Sequence, residues 1–184
     1  MLRLQKLANV NKRRTLRALY AQTQAYPYAA TLDPSVDRYA TDPFNGTETG
    51  KAAIWPGMVA LKTEGENVRP QLDNNDSGPR RPFGLFANFI GGELDEIGDR
   101  SEVGVWRGTG SVFEILAPVF NDTDLAAEAA SEDGTASNEI YLCADDTSRL
   151  FWDNSARPGM DWHQATARLV SYLSPNAIIV ELLV

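Results

Sequence analysis

Apolar and polar residues fall into two regimes along this chain. From Trp55 onward the apolar residues come in short runs that alternate with polar ones, the period-two pattern of half-buried strands. Residues 58–63 (MVALKT) and 67–72 (NVRPQL) flank a polar turn around Gly65 and predict a hairpin. Residues 82–89 (PFGLFANF) predict the next strand, ending at Gly91-Gly92, a turn that calls for positive φ. Residues 102–108 (EVGVWRG) and 111–120 (SVFEILAPVF) predict a second hairpin across Thr109-Gly110. Residues 139–144 (EIYLCA) and 148–153 (SRLFWD) add two strands, and 167–173 (ARLVSYL) and 177–184 (AIIVELLV) close the chain as a hairpin over Ser174-Pro175-Asn176. The last segment is too apolar to face water, so it belongs in the middle of a sheet. About nine short strands separated by turn signals predict an all-β barrel or sandwich.

The first 53 residues lack that pattern. Leu4, Leu7, Leu16, Leu19 and Tyr20 lie at near-helical spacings, but Asn9 and Asn11 interrupt them, so a short helix after Asn11 is the most they predict. Residues 21–53 hold Pro27, Pro34 and Pro43 among Tyr26, Tyr28, Tyr39 and Phe44, with no sustained period. A structureless stretch of that length does not suit the interior of a compact domain. The expectation is an extended, partly helical N-terminal arm over 1–53, whose aromatics dock on its own body or on a neighbouring subunit, and a β-barrel-like domain over 54–184. Removing residues 1–50 should then leave a folded β-domain. Residues 121–138 (NDTDLAAEAASEDGTASN) carry five acids and predict an exposed insertion with one helical turn.

Charge sharpens this division. The net charge is -8, yet residues 1–20 carry Arg3, Lys6, Lys12, Arg13, Arg14 and Arg17 and no acid, which leaves -14 on the remainder. An acidic body repels a phosphate lattice and argues against nucleic acid as the general partner. The basic segment could touch nucleic acid, lie on an acidic protein surface, or simply be solvated. No apolar run is long enough to span a bilayer, and the N-terminus has no secretory signal pattern.

Candidate chemistry is sparse. Asn45–Ala52 resembles a phosphate loop, but it lacks the first glycine, the closing Ser or Thr, and a preceding strand. Residues 73–78 (DNNDSG) suggest a calcium loop, yet Gly84 stands where the twelfth-position Glu should be. A single histidine, His163, and a single cysteine, Cys143, leave no material for a zinc site or a Ser/His/Asp triad. Glu93, Asp95 and Glu96 could form a glycosidase-like pair, but they sit in a turn beside Asp99 and Glu102, where solvent exposure is expected. The expectation is a protein with no cofactor, no metal and no catalytic residues; a carboxylate-based hydrolase using Glu93 or Glu96 is the enzyme alternative.

Several local features carry a resemblance. Pro56-Gly57-Met58-Val59-Ala60-Leu61 with its polar hairpin, followed by Pro82-Phe83-Gly84-Leu85 and completed by residues 103–118 (VGVWRGTGSVFEILAP) and the closing 173–184 (LSPNAIIVELLV), resembles the head-decoration (capsid cement) and related virion structural proteins of tailed bacteriophages. Those proteins set such strands on a small β-barrel with an extended N-terminal arm. The resemblance implies a virion structural protein on the outer capsid surface that cements neighbouring capsomers. It also implies a major capsid protein as partner and a homotrimer as the assembled form. In this chain the arm residues Leu4, Leu7, Tyr26, Tyr28 and Phe44 would supply apolar anchors. Arg13, Arg14 and Arg17 would complement acidic patches on the capsid or on a neighbouring subunit. Pro56, Gly57, Pro82 and Gly84 would set the turns of the fold. The alternative within the same resemblance is a head–tail connector or tail structural protein.

Overall fold

The computed structural model describes residues 15–20, 27–37, 44, 53–63, 65, 67–70, 81–91, 101–131, 139–153 and 164–184. The fold is all-β, with a single short helix among these residues. Five strands close into a barrel in the order β2-β4-β3-β5-β6, namely β2 (Tyr28–Leu32), β4 (Asn67–Arg69), β3 (Val59–Lys62), β5 (Pro82–Phe86) and β6 (Glu102–Trp106). β2 closes it by pairing in parallel with β4 and antiparallel with β6. Six strands form a second sheet in the order β1-β7-β11-β10-β8-β9: β1 (Leu16–Tyr20), β7 (Val112–Leu116), β11 (Ala177–Leu182), β10 (Ala167–Ser174), β8 (Tyr141–Ala144) and β9 (Leu150–Trp152). This sheet curls round, because Phe120, just beyond β7, bridges in parallel to Leu150 at the far strand.

Alternation explains β7 and β11. In β7 Phe113 and Ile115 are buried while Val112, Glu114 and Leu116 are half-buried, and in β11 Ile178, Val180 and Leu182 point inward in the same way. β11 lies between β7 and β10, as its apolar composition requires. The inner faces of barrel and sheet meet in one continuous core that includes Met58, Phe86, Phe89, Phe113, Ile115 and Val119. At about 25 cal/mol per Å² of apolar surface, removal of these side chains from water is the main stabilising contribution.

Two glycines are dictated by close approach. Gly57 follows Pro56 with φ +94°, and a Cβ there would lie 2.9 Å from the Val119 side chain. Gly84 sits in β5 after Pro82, where a Cβ would lie 2.1 Å from the Trp106 carbonyl oxygen. Only glycine lets β5 and β6 pack that tightly.

Three expectations are corrected. The hairpin between residues 102–108 and 111–120 does not form. β6 pairs with β2 and β5 in the barrel, whereas β7 pairs with β1 and β11 in the sheet. Gly108 (φ +113°) and Gly110 (φ +87°) turn the chain from one sheet to the other, and their amides donate to the carbonyls of Val184 and Leu182. Second, the stretch expected as an arm supplies two strands. β1 occupies an edge of the sheet and β2 closes the barrel, so a boundary at residue 53 follows neither. The helical spacing around Leu16 and Leu19 yields to pairing, since one turn of helix gains less than a full ladder with β7. Third, the acidic insertion is anchored. Its helix α1 (Leu125–Ser131) buries Leu125 completely and packs against β10.

Candidate interaction surface

Of the residues expected to contact partners, Leu4, Leu7, Arg13, Arg14 and Tyr26 lie outside the described residues. Tyr28 and Phe44 dock on the chain's own body. The Tyr28 ring meets Phe83 edge-on with centroids 5.7 Å apart, and the Arg107 guanidinium lies 4.0 Å from the Phe83 centroid and 5.4 Å from that of Tyr28. Phe44 meets Trp55 edge-on at 5.9 Å, and Trp55 in turn meets Phe89 at 5.2 Å. Arg17 stands on β1 with its side chain 71% exposed, its Nε 3.0 Å from a Glu114 carboxylate oxygen.

The strands β1, β7, β11 and β10 present one outward face. Its cross-strand rows can be followed by register. One runs Tyr20, Val112, Glu181, Arg168, and the next runs Arg17, Glu114, Ile179, Ser171. Arg168 donates to Glu181 and to Glu139, while the Tyr141 hydroxyl donates to Glu139. The bonds to Glu181 and then Glu139 push the Arg168 pKa upward, and the bonds from Tyr141 and then Arg168 hold Glu139 below its ordinary value. Ion pairs this exposed add little stability. They fix the side chains that pattern the face.

Among the described residues, the exposed large apolar ones concentrate at the margins of this face. They are Leu19 (42%), Tyr20 (57%), Val170 (53%) and Leu173 (51%). Three of them have a shared cause. The register of β1 against β7 skips Leu19, and that of β10 against β11 skips Val170 and Leu173. Each is the extra residue of a β-bulge, extruded from its ladder. Leu19 and Tyr20 are visible in the sequence as apolar residues, but no sequence signal marks a bulge, so their exposure and that of Val170 and Leu173 escaped the pattern.

Behind the face, the Tyr172 hydroxyl is buried toward the carboxylate of Asp122 in the loop that leads into α1. Burial, then the nearby Asp122 carboxylate, raise the Tyr172 pKa above that of a free phenol. Among the described residues, no three His, Cys, Asp or Glu side chains come together in a way that could hold a metal ion. Cys143 is buried in β8. Glu93, Asp95, Glu96 and His163 lie outside the described residues.

A closed barrel joined to a curled sheet, with a basic segment entering at its edge strand, fits the resemblance noted in the sequence. A family model described as phage cement protein matches residues 1–183, spanning both sheets and the N-terminal segment. The chain belongs to the phage cement protein family. Nothing among curated proteins or solved structures matches it. Membership places this cement protein in the virion, as a structural component of the phage capsid.

Proposed function

We propose that this cement protein binds the outside of an assembled phage shell and holds neighbouring capsomers together, and that it catalyses no reaction. The observation that carries the reading is the attachment of the basic segment. Thr15 is buried, its hydroxyl donates to the Pro56 carbonyl, and its own carbonyl accepts from the Leu116 amide. Residues 1–14, with five bases, no acid, and Leu4 and Leu7, thus lead into a fixed post where barrel and sheet join. A basic, partly apolar segment on an acidic body suits acidic ground on the major capsid protein. Arg13 and Arg14 steer the encounter, and Leu4 and Leu7 supply buried contact. Tyr26 belongs with these contacts, whereas Arg17, on the sheet margin, belongs to a contact between subunits. Repetition over a lattice multiplies weak individual contacts through effective concentration, and a trimeric form would supply three such segments at once.

The experiment is quantitative mass spectrometry of purified particles, paired with co-sedimentation of the protein and expanded shells. Many copies in a fixed ratio to the major capsid protein, with binding lost when residues 1–14 are removed, are the expected results. A few copies per particle would assign the chain to a head–tail connector or tail part instead. Undiminished shell binding by the truncated chain would overturn the role of the segment.

A further inference from the structure

The post that carries the basic segment stands at the start of an exposed apolar edge. Among the described residues β1 pairs with β7 alone, so it forms a margin of the sheet. Four of its five residues are exposed, and the two at its far end are Leu19 and Tyr20. Leu19 is extruded at the bulge, while Tyr20 lies in the outward row with Val112. Arg17 is held by Glu114 at 3.0 Å, and residues 15–20 contain no other charged side chain. The end of β1 is therefore an apolar patch with its one charge already balanced.

Chain length fixes how close to this patch the basic segment must work. Thr15 is buried and tied to Pro56 and Leu116. Arg14 and Arg13 precede it by one and two residues, so their α-carbons lie within about 8 Å of that of Thr15. Tyr20 stands five residues along an extended strand in the other direction, about 16 Å from Thr15. Ground that meets Arg13, Arg14 and Tyr20 together thus spans about 25 Å. A standard protein interface covers about 800 Å² on each partner, a patch about 30 Å across. One footprint of that size takes in both the bases and the patch.

We infer that Leu19 and Tyr20 are a second shell-binding contact, docking on an apolar strip of the major capsid protein that borders the acidic ground taken by the basic segment. This docking role rests on the cement reading and deepens it. The other exposed apolar pair, Val170 and Leu173, stays outside the footprint. Both lie on β10, the strand against which α1 packs. Asp124, just before α1, is exposed, and residues 121–131 contain no base. Acidic ground on the shell would repel that side of the molecule, but not the β1 side, where Arg17 and Glu114 balance. The two contacts divide the work. Arg13 and Arg14 speed the encounter, whereas a buried aromatic such as Tyr20 slows release. They act as one linked attachment, so removing either should release the shell.

The test uses the full chain and expanded shells that lack it. Hydroxyl-radical footprinting, read by mass spectrometry, compares the free protein with protein pelleted on shells. Leu19 and Tyr20 should be oxidised in the free protein and lose that reactivity on the shell, while Leu173 should react equally in both. A variant carrying Leu19→Ser and Tyr20→Ser should pellet at least about tenfold more weakly than the wild type, with an unchanged thermal midpoint. Leu173→Ser should bind as the wild type does. If the midpoint of the double variant falls, the footprint of the unaltered chain decides. Tyr20 still reactive on the shell, a folded double variant with wild-type affinity, or an equal loss from Leu173→Ser would each overturn the docking role and leave the cement reading standing. A wild-type chain that fails to pellet with shells would overturn the cement reading itself, and the docking role with it.

Discussion

The hydroxyl of Thr15 donates to the carbonyl of Pro56, tying the residue before β1 to the turn before β3. One end of the bond belongs to the six-stranded sheet and the other to the barrel. Replacing Thr15 by Val keeps the shape and leaves the Pro56 carbonyl buried without this donor. The expected cost is about 1–3 kcal/mol, seen as a lower urea midpoint with an unchanged slope, while Thr15→Ser should retain most of the stability.

Gly84→Ala should be far worse. Its Cβ would enter the space of the Trp106 carbonyl, which is backbone of the neighbouring strand and has no room to retreat. A loss of at least ~3 kcal/mol is expected, with most of the protein recovered insoluble. Gly65→Ala is the control. Gly65 has φ +70° but nothing within 4 Å of the added carbon, so only the left-handed conformation is penalised, by about 1–2 kcal/mol. Comparable thermal midpoints for the two variants would refute the steric account.

Truncations should separate attachment from folding. A chain beginning at residue 15 retains every described strand and should melt as the intact protein does, without binding shells. A chain beginning at residue 51 loses β1 and β2, which opens the barrel between β4 and β6. It should fail to give a cooperative thermal transition, contrary to the expectation drawn from the sequence.

Acid should weaken the connection between β2 and β3. Asp33 accepts bonds from the Ser35 hydroxyl and amide and from the Thr63 hydroxyl, and these, in that order, hold its pKa below the ordinary carboxyl value. A depressed folded-state pKa means that the stabilisation is complete above the unfolded value, near 3.8, and is lost as pH falls through the lower folded value. Asp33→Asn should therefore flatten the acid limb of a plot of stability against pH below about pH 4, while lowering stability slightly at neutral pH. An unchanged acid limb would rule the group out.

Tyr172 should be detectable by absorbance titration of the six tyrosines. Its phenolate is disfavoured first by burial and then by Asp122, so it should ionise after phenols of ordinary pKa. Tyr172→Phe should remove a late component of the curve, and Asp122→Asn should move that component part of the way toward pH 10. The raised pKa also means that stability contributed by the neutral phenol is present below about pH 10 and lost as pH rises through the folded value.

Much of the body was legible because its strands obey a local rule. The nine segments from residue 58 onward are short runs rich in apolar residues and bounded by turn residues, and each contains a strand. What decides the partner of a strand is not local. Residues 102–108 and 111–120 have the sequence of a hairpin, yet they separate because β2 and β1, far earlier in the chain, offer better ladders. β1 itself has five residues, too few for a period of 3.6 to be told from one of 2. The interaction surface was the least legible part. Arg17 could be singled out from charge, but Val170 and Leu173 appear in ARLVSYLS as ordinary strand residues. Only the register, through two residues left without partners, turns them toward water.

The position of β11 has a consequence for the order of assembly. It is the last of the described strands in sequence order, yet it lies inside the sheet, joining β1 and β7 on one side to β10, β8 and β9 on the other. The barrel can close once residue 106 has left the ribosome, but the sheet cannot be completed until residues 177–182 follow. Pairing at such long sequence separation is slow, because much of the chain must be ordered before those contacts are gained. A chain cut short before β11 would hold a barrel and two unjoined halves of a sheet, and it would lack the joined face.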